Sequence, residues 1–576
     1  MVYSLYQYDN LSGKFRGAAH NNCNLNYRVR HVIPIFLHNL SNYDAHLFIK
    51  RFGNPDENIS CIAKNSENYI TFGKNIVVGK YTDKEGNKKN LTCDLKFVDS
   101  FRFMSSSLEA LTNNLDKDQC KNLKKFYGES QLEVLKRKRV YPYDYVDSVD
   151  KLAETALPPK EAFYSKLNDD QISDEDYKHA KKVWNEFNMK TLREYHELYN
   201  KSDVLLLADV FENFRDVCIK HYELDPAWYL TAPSLAWDAM LKTTKVKLEL
   251  LTDIDMLLMI KNGIRGGVAM ISNRYGKANN KYMREEYDES QPSKFIEYWD
   301  ANNLYGWAMS KPLPKGRFEW MDETELQNWR KYPCILEVDL ECPEDLHDEF
   351  NDYPPAPERV TVNQVEKLIP NLRNKDRYVV HCRSLKQYES LGLKITKIHR
   401  GIKFKQRAWL KPYIELNTKL RTESKNSFEK DFFKLMNNSV FGKTIENIEN
   451  RVDIKLVTDK KKAEKLAAKP NYEHCTIFDE SLIAVQMKRT WLYYNKPVYL
   501  GMCILDFSKT LMYRFHYRYI KPKYGDKAKL LFTDTDSLMY EIETGDLYED
   551  ITPDIEEWFD TREFQRSFWI QILVSY

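Results

Sequence analysis

The chain has 576 residues, enough to bury several cores and to form three or so domains, and its 13% aromatic content argues against disorder. A net charge of +2 says little about nucleic acid by itself. The ten cysteines contain no Cys-x-x-Cys pair, no apolar run reaches about eighteen residues, and Met1–Asp9 lacks a signal-peptide pattern, so a disulfide framework and a membrane span are not expected and a reducing compartment is.

In chain order, residues 11–28 carry His20 and Cys23, two metal-binding residue types where a structural zinc site needs four. His38-Asn39-Leu40-Ser41-Asn42-Tyr43-Asp44 follows, a polar stretch ending in an acid. Leu157-Pro158-Pro159-Lys160 breaks the chain. Tyr199-Asn200-Lys201-Ser202-Asp203 leads into Val204–Ala208, which predicts a buried helix. Gly263-Ile264-Arg265-Gly266-Gly267 is either a plain turn or a place where backbone approaches phosphate closely. Phe295–Trp299 favours a strand, so Asp300 stands at a strand end, with Ala301-Asn302-Asn303-Leu304-Tyr305-Gly306 beyond it.

From Lys394 to Lys425 there are ten Lys or Arg against two Glu, which suits either a solvated face or a surface that meets phosphate. Asn426 with Glu429 resembles a capping box, and Gly442 predicts a helix stop. On that helix Lys430, Lys434, Asn438 and Phe441 share one face, while Phe428, Phe432, Leu435 and Met436 suit packing. Asp459–Lys465 is lysine-rich. Leu530–Tyr540 predicts a strand-turn-strand with Asp534-Thr535-Asp536 at its tip. Carboxylates clustered in this way are costly unless a hard cation holds them. No lysine occurs from Leu530 to Tyr576, and residues 568–576 are unusually apolar.

The blocks at Asp300, Lys434 and Asp534 resemble motifs A, B and C of family B DNA polymerases, in the protein-primed branch of linear plasmids, viruses and Polinton-type elements. Motif A, commonly Asp-x-x-Ser-Leu-Tyr-Pro, has Asn303 and Gly306 at its Ser and Pro positions, like the Polinton variant. Motif B, Lys-x-x-x-Asn-Ser-x-Tyr/Phe-Gly, is met by Lys434, Asn438, Ser439, Phe441 and Gly442, and motif C by Asp534–Ser537. The resemblance implies an α/β (α+β) chain: an RNase H-like exonuclease domain, then right-hand palm and fingers, with the thumb largely missing. It implies two Mg²⁺ ions (Mn²⁺ as the alternative) on Asp300 and Asp536, with Asp534 a weaker ligand. Lys434 would meet the triphosphate, with Lys430 on the same face. Asn438 and Phe441 would pack on the nascent base pair, and Tyr305 would be a steric gate against ribonucleotides.

Asn39, Tyr43 and Asp44 resemble the second exonuclease motif, and Tyr199 and Asp203 the third. The Asp-x-Glu expected upstream of Asn39 is absent, so a retained fold with a crippled site stands beside an active one. Residues 11–28 look like the end of an endonuclease VII-type His-metal finger, with Gln7, Tyr8, Asp9 and Asn10 where Asp-His-Cys-His would begin it. Arg265, Gly266 and Gly267 match the Tyr-x-Gly-Gly region, which contacts DNA. Family layout places a terminal-protein-docking insertion in 311–400 and a strand-displacement insertion around 459–465. The expected domains are 1–28 (finger remnant), 29–225 (exonuclease-like), 226–560 (palm and fingers with these insertions) and 561–576 (an atypical tail), in a chain cut at both ends. Implied partners are template-primer DNA, deoxynucleoside triphosphates and a terminal protein primer, at an intracellular replication site, nuclear or cytoplasmic. The alternative is an impaired polymerase fragment that only binds DNA or a partner.

Overall fold

The structure, a computed structural model, describes residues 4–8, 15–20, 32–42, 44–48, 59–64, 69–82, 86–137, 140–479, 482–560 and 571–572. Tyr43, Asp9, Asn10 and Cys23 lie outside these residues. The chain is mixed α/β, as the sequence predicts, and divides into two compact units. One comprises 1–106 with 449–491, the other 107–448 with 492–576. The expected boundary at 225 falls inside the second unit.

The first unit contains a four-stranded sheet in the order Val32–Leu37, Lys88–Asp99, Tyr69–Thr82, Ile59–Ala63. Val32–Leu37 runs parallel to its neighbour and the other pairings are antiparallel. Pro34 cannot donate to a ladder and sits where that is tolerated, on an edge strand. A three-stranded antiparallel sheet, Asp453–Val457, Leu482–Met487, Tyr472–Asp479, comes from the second chain segment. Leu40, Ala45, Tyr69 and Phe72 share one buried cluster with Ile454, Leu456, Leu482 and Ala484, so this core is built from both segments. The lysine-rich stretch is the helix Lys460–Ala467, capped by Asp459, whose side chain accepts from the Lys461 N–H at 2.9 Å.

In the second unit Pro159 precedes a short 3₁₀ turn, Lys160–Phe163, matching the predicted break. The helix Leu192–Tyr222 carries Tyr199 and Asp203, and its N-cap Thr191 accepts from the Glu194 N–H. The prediction of a buried stretch after Asp203 is corrected. Leu206 is buried, but Val204 is 68% exposed, because a single helix face meets the core. Residues 313–407 form an antiparallel sheet in the order Lys375–His381, Cys334–Glu341, Lys394–Arg407, Leu313–Trp320.

The basic run does not offer an unbroken phosphate surface. Within it Lys394, Arg400, Lys403, Lys411 and Lys419 face Glu341, Glu337, Glu325, Glu415 and Glu423 at 2.6–3.8 Å. The helices Ala232–Thr244, Lys411–Glu423 and Val498–Phe515 each pack against the helix Ser427–Thr444. Among the described residues no helix is long and apolar enough to cross a membrane.

Candidate active site

Four antiparallel strands position the acids, in the order Ala269–Ile271, Ala528–Asp534, Ser537–Glu543, Lys294–Asp300. Their alternating apolar residues bury Leu530, Leu538, Tyr540, Ile542, Phe295 and Trp299, which leaves the polar ends of the strands at one rim. Asp534 pairs with Ser537 across a two-residue turn, and Ser537 pairs with Asp300 on the other side. The Ala301 N–H donates to the Asp536 carbonyl at 2.7 Å, so the chain leaving Asp300 is tied to the hairpin tip. Residues 300 and 534, separated by more than two hundred positions in sequence, are thus neighbours through one intervening strand.

The turn itself is tight. Thr535 has φ 57°, a left-handed conformation that a β-branched residue seldom adopts, and the Asp536 N–H points at the Asp534 carbonyl at 2.6 Å. Thr535 is held by its N–H to the carbonyl of Val268, the residue before the strand Ala269–Ile271, at 2.7 Å. Gly267 packs directly against it: a Cβ at that position would lie 2.1 Å from Thr535 Oγ1. The close approach that needs a glycine here is therefore to the hairpin.

Burial raises the Asp300 carboxyl to a pKa of about 6, with the Asp536 charge adding to the rise and Lys434 opposing it. Asp536 is also raised, by burial and by Asp534, against its own backbone N–H and Lys434. Lys434 is exposed on the helix Ser427–Thr444, close enough to act on both acids. These half-buried, mutually repelling oxygen ligands fit a hard divalent cation, whose charge would relieve the repulsion. Asp534, Asp536 and Asp300 do not bring single oxygens all within 4.8 Å of one another. Among the described residues the group that does is Asp339, Asp376 and His399, on the sheet formed by residues 313–407.

The remaining predicted residues fall around this rim and beyond it. Tyr305 lies on the short helix Leu304–Met309, and its ring stacks on Phe441 at 4.4 Å and 19°. Burial, Asp536 and Asp534 raise the Tyr305 phenol, which keeps it neutral. Asn303 opens that helix with φ 58°, and its side chain occupies the space a Cβ on Gly306 would need, 2.2 Å from Nδ2. The Asn and Gly at the variant motif A positions are thus a packed pair.

On the motif B helix Asn426 caps as predicted, accepting from the Glu429 N–H at 2.8 Å, but the helix runs past Gly442 to Thr444. Phe432 and Met436 are buried; Phe428, Leu435, Lys430 and Asn438 are half-buried. Asn437 was not singled out by sequence. It is buried and accepts from Asn417 Nδ2 at 2.8 Å, while Asn417 Oδ1 accepts from the Tyr222 hydroxyl at 2.6 Å.

Arg265 is 6% exposed. Its guanidinium stacks on Tyr378 at 3.6 Å and donates to the Val379 carbonyl at 2.7 Å, so it is held inside the protein. Gly266 faces open space.

The exonuclease-like residues divide between the units. In the first, the Asn39 and Ser41 N–H groups donate to the buried Asp99 carboxylate, both at 3.0 Å, and Asp44 begins a short helix. Burial and then Asp99 raise the Asp44 carboxyl, against His38. Asp99 was not predicted, since it closes an ordinary-looking strand. In the second unit the Tyr199 hydroxyl meets that of Tyr143 at 2.6 Å.

The family model for DNA polymerase type B, organellar and viral, matches residues 24–522. The chain belongs to this family. It is a DNA-directed DNA polymerase, and the acidic rim is carried by the four-stranded sheet of a type B polymerase. No curated protein sequence matches it. Among solved structures, 24 chains match. Phi29 DNA polymerase in an orthorhombic crystal form is 14% identical over 99% of this chain and 83% of that one, with a TM-score of 0.49. Phi29 DNA polymerase complexed with primer-template DNA and incoming nucleotide substrates is 15% identical over 90% and 74%, with a TM-score of 0.47. The same polymerase complexed with single-stranded DNA gives 14%, 90%, 73% and 0.46.

Proposed function

We propose that this type B polymerase extends a primer by template-directed addition of deoxynucleotides, with Asp300 and Asp536 holding two magnesium ions and Asp534 as a weaker ligand. Manganese is the alternative ion. The observation that carries the reading is the register that sets Asp300 beside the Asp534–Ser537 turn, with Lys434 acting on both Asp300 and Asp536. Divalent ions bound there would neutralise charge on the triphosphate and on the attacking oxygen.

The chain's own groups supply orientation. Lys434, a point charge on an exposed helix position, meets the triphosphate, with Lys430 one turn earlier. The Tyr305 ring, held flat against Phe441, forms a wall that crowds a 2′-hydroxyl. Asn438 shares the face of Lys434 and borders the nascent base pair. Primer-template DNA and deoxynucleoside triphosphates are the substrates in this reading. A terminal protein as primer, and replication of a viral or mobile element at a nuclear or cytoplasmic site, extend it. Asn39, Tyr43, Asp44, Tyr199 and Asp203 are the residues that resemble exonuclease motifs in its sequence.

Primer extension by the full chain with magnesium, set beside DNA binding, tests the reading. Asp300→Asn and Asp536→Asn should each lower nucleotide addition by about 10³-fold or more, the scale expected when a group aimed at transition-state charge is lost. DNA binding without any extension by the wild-type chain would support the alternative, a fragment that only binds.

A further inference from the structure

The helix Val498–Phe515 buries two charged residues that the proposed chemistry does not use. Asp506 is 4% exposed and Lys509 is 6% exposed. Burying charges is expensive unless each is paired and hydrogen-bonded, so a buried pair one helical turn apart needs a reason. Asp506 Oδ2 accepts from the His381 N–H at 2.9 Å. Lys509 Nζ donates to the Arg265 carbonyl at 2.8 Å and to the Leu505 carbonyl at 3.1 Å. Arg265 is clamped in turn by Tyr378 and the Val379 carbonyl. Burial pulls the Lys509 ammonium down to about 8, Asp506 opposes that fall and Arg265 adds to it.

The Arg265 carbonyl lies two residues before Gly267, whose Cα faces Thr535, and three before Val268, whose carbonyl accepts from the Thr535 N–H. The strand that follows pairs Ala269 with Asp534. One continuous path therefore runs from the Lys509 ammonium through residues 265–268 to the strained turn between Asp534 and Asp536.

We propose that Lys509, anchored on the Arg265 carbonyl, is a positioning residue that holds residues 265–268 against Thr535 and so sets the Asp534 and Asp536 carboxylates for cation binding. Lys509 touches no reacting group. Its ammonium fixes a backbone carbonyl, Gly267 lets that backbone reach the turn, and Thr535 keeps its left-handed conformation because both neighbours hold it. This inference rests on the assignment of Asp536 as a metal ligand. A substitution at Lys509 would act as the loss of an outer partner of a metal site does, by loosening ligands that remain present.

The test is Mn²⁺ binding to the full chain without DNA, followed by the electron paramagnetic resonance signal of free Mn²⁺, beside steady-state primer extension. Asp536→Asn is the control. Lys509→Met keeps the volume and removes the charge. Its Mn²⁺ affinity should fall about tenfold, within the range for outer-partner losses at metal sites. In extension its rate should recover as Mn²⁺ is raised, because the ligands remain present, whereas a loss of folded enzyme would lower kcat at every Mn²⁺ concentration. Lys509→Arg should recover part of the loss.

Gly267→Ala, which drives a methyl group into Thr535, should weaken Mn²⁺ binding likewise. Gly267→Ala with Thr535→Gly removes the clash and suits φ 57°, so it should restore binding. That pair decides the matter if Lys509→Met does not fold. Loss of Mn²⁺ in Asp536→Asn with wild-type affinity in both Lys509→Met and Gly267→Ala would overturn the positioning role alone. Wild-type affinity in Asp536→Asn would overturn the metal assignment, and this inference with it.

Discussion

Asp300 is held in an environment that disfavours its charge, and this has a measurable cost to folding. Burial and the Asp536 charge lift its pKa to about 6, above the usual carboxylate value, so the folded state keeps a proton that the unfolded chain releases. Stability from this group is therefore full below about pH 4 and is lost as pH rises through about 6. Asp300→Asn should raise the melting temperature of the metal-free chain at pH 8, by a few degrees at most, and leave it unchanged at pH 4. Magnesium should stabilise the wild type at pH 8 and not the variant. A variant that melts lower than wild type at pH 8 would show that the carboxylate is not strained. Lys434 lowers both acids while remaining exposed, so Lys434→Ala should mainly raise KM for nucleotide, read from steady-state extension. The Tyr305 ring is fixed by its stack on Phe441, so Tyr305→Val should admit ribonucleotides. Unchanged sugar selectivity in that variant would count against the gate.

At the scale of elements, the acidic hairpin and the strand before Asp300 were legible because both depend on local alternation and turn residues, which act within a few positions. The Asn426 cap was legible for the same reason. Gly442 misled as a stop signal because tertiary packing carries the helix on: Thr444 is buried and its hydroxyl donates to the Phe441 carbonyl at 2.7 Å. The partners of Arg265 were not legible, because its guanidinium meets Tyr378 and the Val379 carbonyl, more than a hundred residues away, which no local pattern reveals. Asp506 and Lys509 did leave a trace, as the two charges in the otherwise uncharged run Val498–Thr510. Close packing of that helix on the end of the motif B helix leads to a further prediction. A Cβ on Gly501 would lie 2.1 Å from Ile445 Cγ2 and 2.8 Å from Thr444 Oγ1. Gly501→Ala should lower stability by about 1–3 kcal/mol, the usual range for overpacking a well-filled interface. A denaturant midpoint equal to that of wild type would show that the two helices part without resistance.

For the whole molecule, the first unit is discontinuous, and its core cannot be completed by residues 1–106 alone. Four members of the buried cluster, Leu40, Ala45, Tyr69 and Phe72, come from the first segment, and four, Ile454, Leu456, Leu482 and Ala484, come from the second. The Cys61 thiol even donates to the Ile454 carbonyl at 3.3 Å. Fully burying a large apolar side chain contributes about 1.5–3 kcal/mol, so losing the second segment removes several kcal/mol from a unit whose total stability is of the order of 5–15 kcal/mol. Replacing 449–491 with a short Gly-Ser linker should therefore abolish slow amide exchange in the strands Tyr69–Thr82 and Lys88–Asp99. The hairpin strands Ala528–Asp534 and Ser537–Glu543 belong to the other unit and should stay protected. The same dependence means that synthesis must pass residue 487 before the first unit can close, since contacts separated by almost four hundred positions complete its core. Hydrogen exchange on the shortened chain decides this: persistent protection of Tyr69–Thr82 would mean that residues 1–106 fold without the later segment.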